Sequence, residues 1–190
     1  MAVKSKTSLK EVFAGIASVM FQSEKINLAS GTASIAPEFD LPVHVDDLSI
    51  NQDEPDLNHY KVHGLNADWV STATAGDVTI NIIVPTLHND IMGWAFGDGT
   101  SVSATVTESA ALVDGTFTGQ AFGLNTRKIT GSLILLNEAK DKLFVIANAA
   151  LWPSLVYENG STDPIAVRLS GTIEASEVAD ICLLKKTATA

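Results

Sequence analysis

After Lys25 the hydropathy pattern takes a period of two and keeps it, which confines the chain to antiparallel β structure. In the run 78–84, Val78, Ile80, Ile82 and Val84 face one way while Thr79 and Asn81 face the other. Such alternation marks a strand with one buried face. Gly, Pro, Asn and Asp separate the runs, as turns require. Strands are predicted over residues 29–36, 43–50, 60–65, 68–73, 78–84, 100–107, 115–122, 128–136, 143–151, 154–157 and 165–174. Near Asp46 and Asp47 the alternation changes phase, and a β-bulge would restore it.

Two segments read as helix. Ser8 and Glu11 form an S-x-x-E capping box, and Leu9, Val12, Phe13, Ile16 and Met20 recur at helical spacing. Residues 1–25 are therefore expected to form an amphipathic helix or arm, with residues 26–190 as a single antiparallel β domain. Lys4, Lys6 and Lys10 before an apolar stretch resemble a signal peptide, but Glu11 interrupts that stretch and no small-x-small cleavage site follows. The second helix follows Pro85. Thr86 is the expected N-cap, Leu87, Ile91, Trp94 and Ala95 share a face, and Gly97 ends it.

Residues 129–152 form a hairpin of unusual composition. Leu133, Ile134, Leu135 and Leu136 are apolar on both faces, as are Leu143, Phe144, Val145 and Ile146. Antiparallel sheets usually leave one face wet, so a second layer is expected here. Either the N-terminal helix or a neighbouring subunit would supply it, and Leu133, Leu135, Phe144 and Ile146 are the candidate subunit-interface residues. The chain is 46% apolar but only 6% aromatic and 18% charged, so either the core is unusually generous or part of the apolar surface is buried against other copies.

Charge is segregated along the chain. Between Ile26 and Thr126 there are thirteen acidic side chains and one basic one, Lys61, whereas both ends together carry a formal +2. A surface with that much negative charge repels nucleic acid. The single cysteine, Cys182, excludes an intrachain disulfide and reads as a small core residue. With no run of 18 apolar residues, no membrane span is expected.

Motifs for catalysis are lacking. His59 and His63 fall four residues apart on an expected strand, ~13 Å, too far to share one ion. Asp53, Glu54 and Asp56 lack the central glycine and closing glutamate of a calcium loop. The run GWAFGDG, residues 93–99, follows a helix and so does not cradle phosphate. There is no G-x-S-x-G, H-E-x-x-H or C-x-x-C pattern. Trp69, Trp94 and Trp152 sit in apolar or helical context. No catalytic residue, cofactor or metal is expected, and the chain reads as a non-enzyme.

Four runs in order carry a resemblance: VHVDDLSINQDEPDLNHYKVHGLNADW, VTINIIVPTLHNDIMGWAFGDG, RKITGSLILLNEAKDKLFVIANAALW and AVRLSGTIEAS. Together they resemble the tail tube proteins of bacterial viruses and prophages. The resemblance implies an antiparallel β-sandwich or half-barrel with a flanking short α-helix, assembled as hexameric rings that stack into a hollow tube. It further implies a structural virion protein of the tail, made in the bacterial host cytoplasm. Its partners would be other copies and other tail proteins, and DNA would pass through without specific binding. An acidic lumen fits that role, since basic residues there would trap DNA.

On this resemblance Asp46, Asp47, Asp53, Glu54 and Asp56 are candidates for lumen or inter-ring faces, as are the loop 51–58 and the N-terminal arm for ring-to-ring contacts. The polar sides of two strands, Ser101, Ser103, Thr105, Thr116, Thr118 and Gln120, are further lumen candidates. Two alternatives stay open: a tube subunit of a contractile injection or secretion system, with a protein cargo, and a monomeric β-sandwich binding module.

Overall fold

The computed structural model describes residues 10–28, 33–44, 46–64, 66–107, 114–157 and 162–187. In chain order the elements are β1 (Ile16–Gln22), β2 (Phe39–Leu41), β3 (Leu48–Gln52), β4 (Asp56–Tyr60), β5 (Val70–Thr74), β6 (Val78–Val84) and helix α1 (Asn89–Phe96). There follow β7 (Thr100–Val106), β8 (Gly115–Ala121), β9 (Ile129–Asn137), β10 (Lys142–Val156), β11 (Ala166–Ile173) and β12 (Ile181–Lys185). With 51% of the described residues in strands, 5% helical and antiparallel sheets, the expected mainly β class holds. The elements fall into two units interleaved in sequence: residues 1–45, 130–149 and 174–190, and residues 46–129 and 150–173.

In the first unit the strand order is β2-β1-β9-β10, and β12 also pairs with β10. The expected helix over residues 8–21 is overturned at this point, because Ile16–Gln22 is a strand. Val19, Met20 and Phe21 pair with Leu135, Ile134 and Leu133 of β9. A short apolar run does not distinguish strand from helix by periodicity alone, and ladder hydrogen bonds plus burial on both faces favour the strand. Gly15 at φ 66° also precludes a regular helix running into it. Glu11 pairs with Lys185 at 2.6 Å, while Ser8 lies outside the described residues.

The β9–β10 hairpin is buried on both faces, and the second layer is internal. Ile134 and Val145 pack with Ile26, and Leu28, Ala33 and Ile35 join that cluster. Residues 33–36, expected as strand, are irregular instead. Gln22 Oε1 accepts the Ala36 N–H at 2.7 Å, in place of a ladder partner; residues 29–32 lie outside the description.

The second unit holds the order β10-β11-β6-β3. Ile80, Ile82 and Val84 are fully buried and Thr79 and Asn81 exposed, as the alternation predicts. Their neighbours Val167 and Leu169 are also buried, across from Val84 and Ile82. At Gly171 a Cβ would collide with the Ala150 carbonyl oxygen and Leu151, so the sheet requires glycine there.

Helix α1 begins later than predicted. His88 is its N-cap, with Nδ1 accepting the Asp90 N–H at 3.3 Å, and Thr86 Oγ1 instead accepts the His88 N–H at 3.2 Å. Leu87 therefore precedes the helix and is exposed, while Ile91 and Ala95 are buried. Gly97 closes it at φ 96°, donating its N–H to Gly93 O.

Candidate assembly surface

Among the described residues, two hairpins of the second unit belong to no larger sheet: β4 with β5, and β7 with β8. Every residue of β4, β5 and β8 is exposed, and only Val106 of β7 is partly covered. A two-stranded hairpin alone in water is marginally stable at best. Exposed apolar side chains on such an element call for a partner surface.

Register sorts the β7–β8 side chains into two chemical faces. Ser101 stands opposite Gln120, Ser103 opposite Thr118 and Thr105 opposite Thr116. All six polar candidates named from the sequence thus share one face. The other face carries Val102, Ala104 and Val106 of β7 with Phe117 of β8, and Phe117 is 57% exposed. Alternation along each strand produces this division, and no element among the described residues covers the apolar side.

The β4–β5 hairpin adds Leu57, Tyr60 and Val70, with Trp69 at the start of its second strand; all four are exposed. Trp69, read from the sequence as lying in apolar context, is 67% exposed. Its N–H donates to Tyr60 O at 2.7 Å, closing the ladder. Strand β4 occupies residues 56–60, so the strand expected over 60–65 is displaced toward the N-terminus. Asp68 Oδ2 lies 2.6 Å from His59 Nδ1, His63 sits in a turn, and no cluster of three metal-ligating side chains exists among the described residues.

The acidic candidates are not brought to one place. Asp46 and Asp47 form a turn before β3, where a bulge was expected. Asp53 and Glu54 follow the far end of that strand, roughly 20 Å away along an extended chain. The expected loop 51–58 is mostly strand: Asn51 and Gln52 end β3, and Asp56 already pairs with Thr74 in β4. Asp53 N–H donates to Asp77 O, and a Cβ on Gly76 would collide with the Asp53 carbonyl oxygen. Asp53, Glu54 and Asp56 are all exposed. Asp46 and Asp47, with Arg168, Asn81 and Ser170, instead line an open groove of about 330 Å³.

Burial corrects three of the four candidate interface residues of β9 and β10. Leu133, Leu135 and Ile146 are at most 4% exposed within the chain itself, which leaves them no surface for a neighbour. Phe144, half-buried, meets Phe13 edge-to-face at 6.3 Å. The surface that sequence reasoning passed over is the apolar face of β7–β8. Its signal was present, because Val102, Ala104 and Val106 alternate with the serines and threonine, but alternation alone points to burial within the chain.

Charge follows the same division. The second unit holds thirteen acidic and four basic side chains, a formal −9, against nine and eight, or −1, in the first. The exposed hairpins thus belong to the acidic unit. Compared with known protein families and with curated proteins, the chain matches none.

Proposed function

We propose that the chain is the repeating subunit of a hollow tube, a major tail tube protein of a bacterial virus or prophage, stacked as hexameric rings around an acidic lumen. The observation that carries this reading is the β7–β8 hairpin, polar and uncharged on one face, apolar on the other and uncovered on both. In a tube wall the face of Ser101, Ser103, Thr105, Thr116, Thr118 and Gln120 meets the aqueous bore. The face of Val102, Ala104 and Phe117 meets the next subunit. Hydroxyl and amide groups wet the bore without binding phosphate as lysine would, and the acidic unit around them keeps DNA from settling on the wall.

Energetics favour a closed ring over a dimer. Burying Phe117 and Val102 contributes roughly 3 to 6 kcal/mol per contact, below most of the ~4 to 15 kcal/mol range for association cost. A head-to-tail contact that closes is made twice by every subunit, and Leu57, Tyr60 and Trp69 add apolar area on the second hairpin. Assembly should therefore be cooperative.

Sedimentation velocity over a concentration series tests the proposal. A direct passage from monomer to ring-sized or larger species supports it, and a monomer at every concentration speaks for a binding module. Substituting Lys for Asp53, Glu54 and Asp56 tests the charge argument. Tubes bearing these lysines should retain DNA in a salt-dependent manner, and unchanged passage would remove that loop from the lumen.

A further inference from the structure

We infer that the first unit carries a docking site for a short acidic–aromatic segment, and that its occupant in an assembly is residues 11–13 of a second copy. The inference deepens the assembly reading and rests on it in one respect, that copies meet.

The acceptor is one face of the β10–β12 ladder. Lys142 stands directly opposite Lys185 there, and two residues along the same face Phe144 stands opposite Leu183. Leu143 and Leu184 turn to the other face and join the cluster of Ile134 and Val145. Like charges directly opposite each other destabilise a sheet. The acidic side chains of the nearby turn are engaged elsewhere: Asp141 Oδ1 accepts the Asn137 Nδ2–H at 2.6 Å, and Glu138 lies against Gly15.

The chain's own residues 11–13 complete this face. Glu11 Oε1 lies 2.6 Å from Lys185 Nζ, Lys142 Nζ donates to Val12 O at 2.7 Å, and the Phe13 ring meets Phe144 edge-to-face at 6.3 Å. Three consecutive residues thus offer a carboxylate, a carbonyl and a phenyl ring to two ammonium groups and a second ring. Nowhere else in the sequence does an aromatic residue follow an acidic one two positions on, so a second copy has this one segment to offer.

The segment is placed for exchange. Among the described residues no backbone ladder includes residues 10–15, so side chains and one carbonyl hold them. Glu11 and Val12 are exposed and Phe13 is half-buried. Exposed ion pairs contribute little and ordering the backbone costs entropy, which leaves the docked state a small margin. Gly15, at φ 66°, is the pivot, since glycine crosses between left- and right-handed backbone at no steric cost. A segment swung about it makes identical contacts on a neighbour, and such exchange is a low-cost route to association. Glu11 lies four residues from the pivot, a reach of roughly 14 Å, so the neighbour's lysine pair must approach the donor's β1.

Single-cysteine proteins test the exchange, in a Cys182→Ala background. Glu11→Cys protein is mixed with Lys185→Cys protein and treated with a short bismaleimide, so that a link between the two forms only in trans. The mixture should give several-fold more interchain product than either protein alone, rising with concentration, and the dilute double variant should link within its chain. A mixture no better than its components confines the segment to its own chain and overturns the exchange; a double variant that fails to link overturns the docking. The site itself is tested apart from assembly by NMR titration of the Phe13→Ser protein, whose own segment is weakened, with the peptide acetyl-LKEVFA-amide, residues 9–14. Peptides carrying Glu11→Gln or Phe13→Ser should bind several-fold more weakly, and equal binding of all three would overturn the site. Interchain links in a protein that never forms rings would uphold the exchange and reject the tube.

Discussion

Ala104 and Phe117 stand directly opposite each other across the β7–β8 hairpin, and Phe117 is 57% exposed. Phe117→Asp should leave the isolated subunit's stability within about 0.5 kcal/mol, as for other exposed positions. On the assembly reading it removes ~1.5 to 3 kcal/mol of burial per contact, which raises the half-assembly concentration roughly tenfold or more. Urea melts and sedimentation read the two quantities separately. Thr118→Ala, on the polar face, is the matched control and should assemble normally.

Ile146 is fully buried in the first unit. Truncation to Ala should cost ~2 to 5 kcal/mol in urea unfolding, because little surrounding structure can collapse into the space. Were Ile146 instead an interface residue, the loss would appear in assembly and not in the melt of the dispersed subunit.

Ser132 joins three segments through one buried hydroxyl, accepting from Ile26 N–H and donating to Ala147 O. Ser132→Ala leaves the Ile26 N–H unsatisfied, at a cost of about 1 to 3 kcal/mol. Amide exchange at Ile26 should accelerate more than exchange in β6 of the second unit, a comparison made on a single labelled sample.

Two glycines make opposite predictions. Gly171→Ala puts a Cβ against the Ala150 carbonyl and should destabilise the protein by ~1 to 3 kcal/mol, as overpacking does. Gly93, inside α1, has open space around its Cβ position, so Gly93→Ala should stabilise by about 0.5 to 1 kcal/mol through helix propensity. Thermal melts of the two variants should move in opposite directions.

How much was legible from the sequence varied with the range of the interactions. Strand β6 was read correctly to its ends because Ile80, Ile82 and Val84 alternate with polar residues and the buried face is set locally. Strands β7 and β8 were likewise placed within a residue or so of their ends. Strand β1 was misread because Val19, Met20 and Phe21 are apolar in succession, and only pairing with Leu133, Ile134 and Leu135, far along the chain, selects a strand. Strand β12 was missed for the same reason: Cys182 and Leu184 turn toward the Ile134 cluster while Ile181 and Leu183 are exposed, a distinction the sequence ILE-CYS-LEU-LEU does not display. At the candidate surface, composition separated the two faces of β7–β8, but only the fold reveals that nothing within the described chain covers the apolar one.

The most direct test of the central claim is negative-stain electron microscopy of the purified protein across a concentration series. Rings or hollow tubes of uniform bore are the expected result, and the Phe117→Asp protein should form them only at roughly tenfold or higher concentration. A wild-type protein that remains a dispersed monomer at all concentrations, even when seeded with tail tips, would contradict the tube reading.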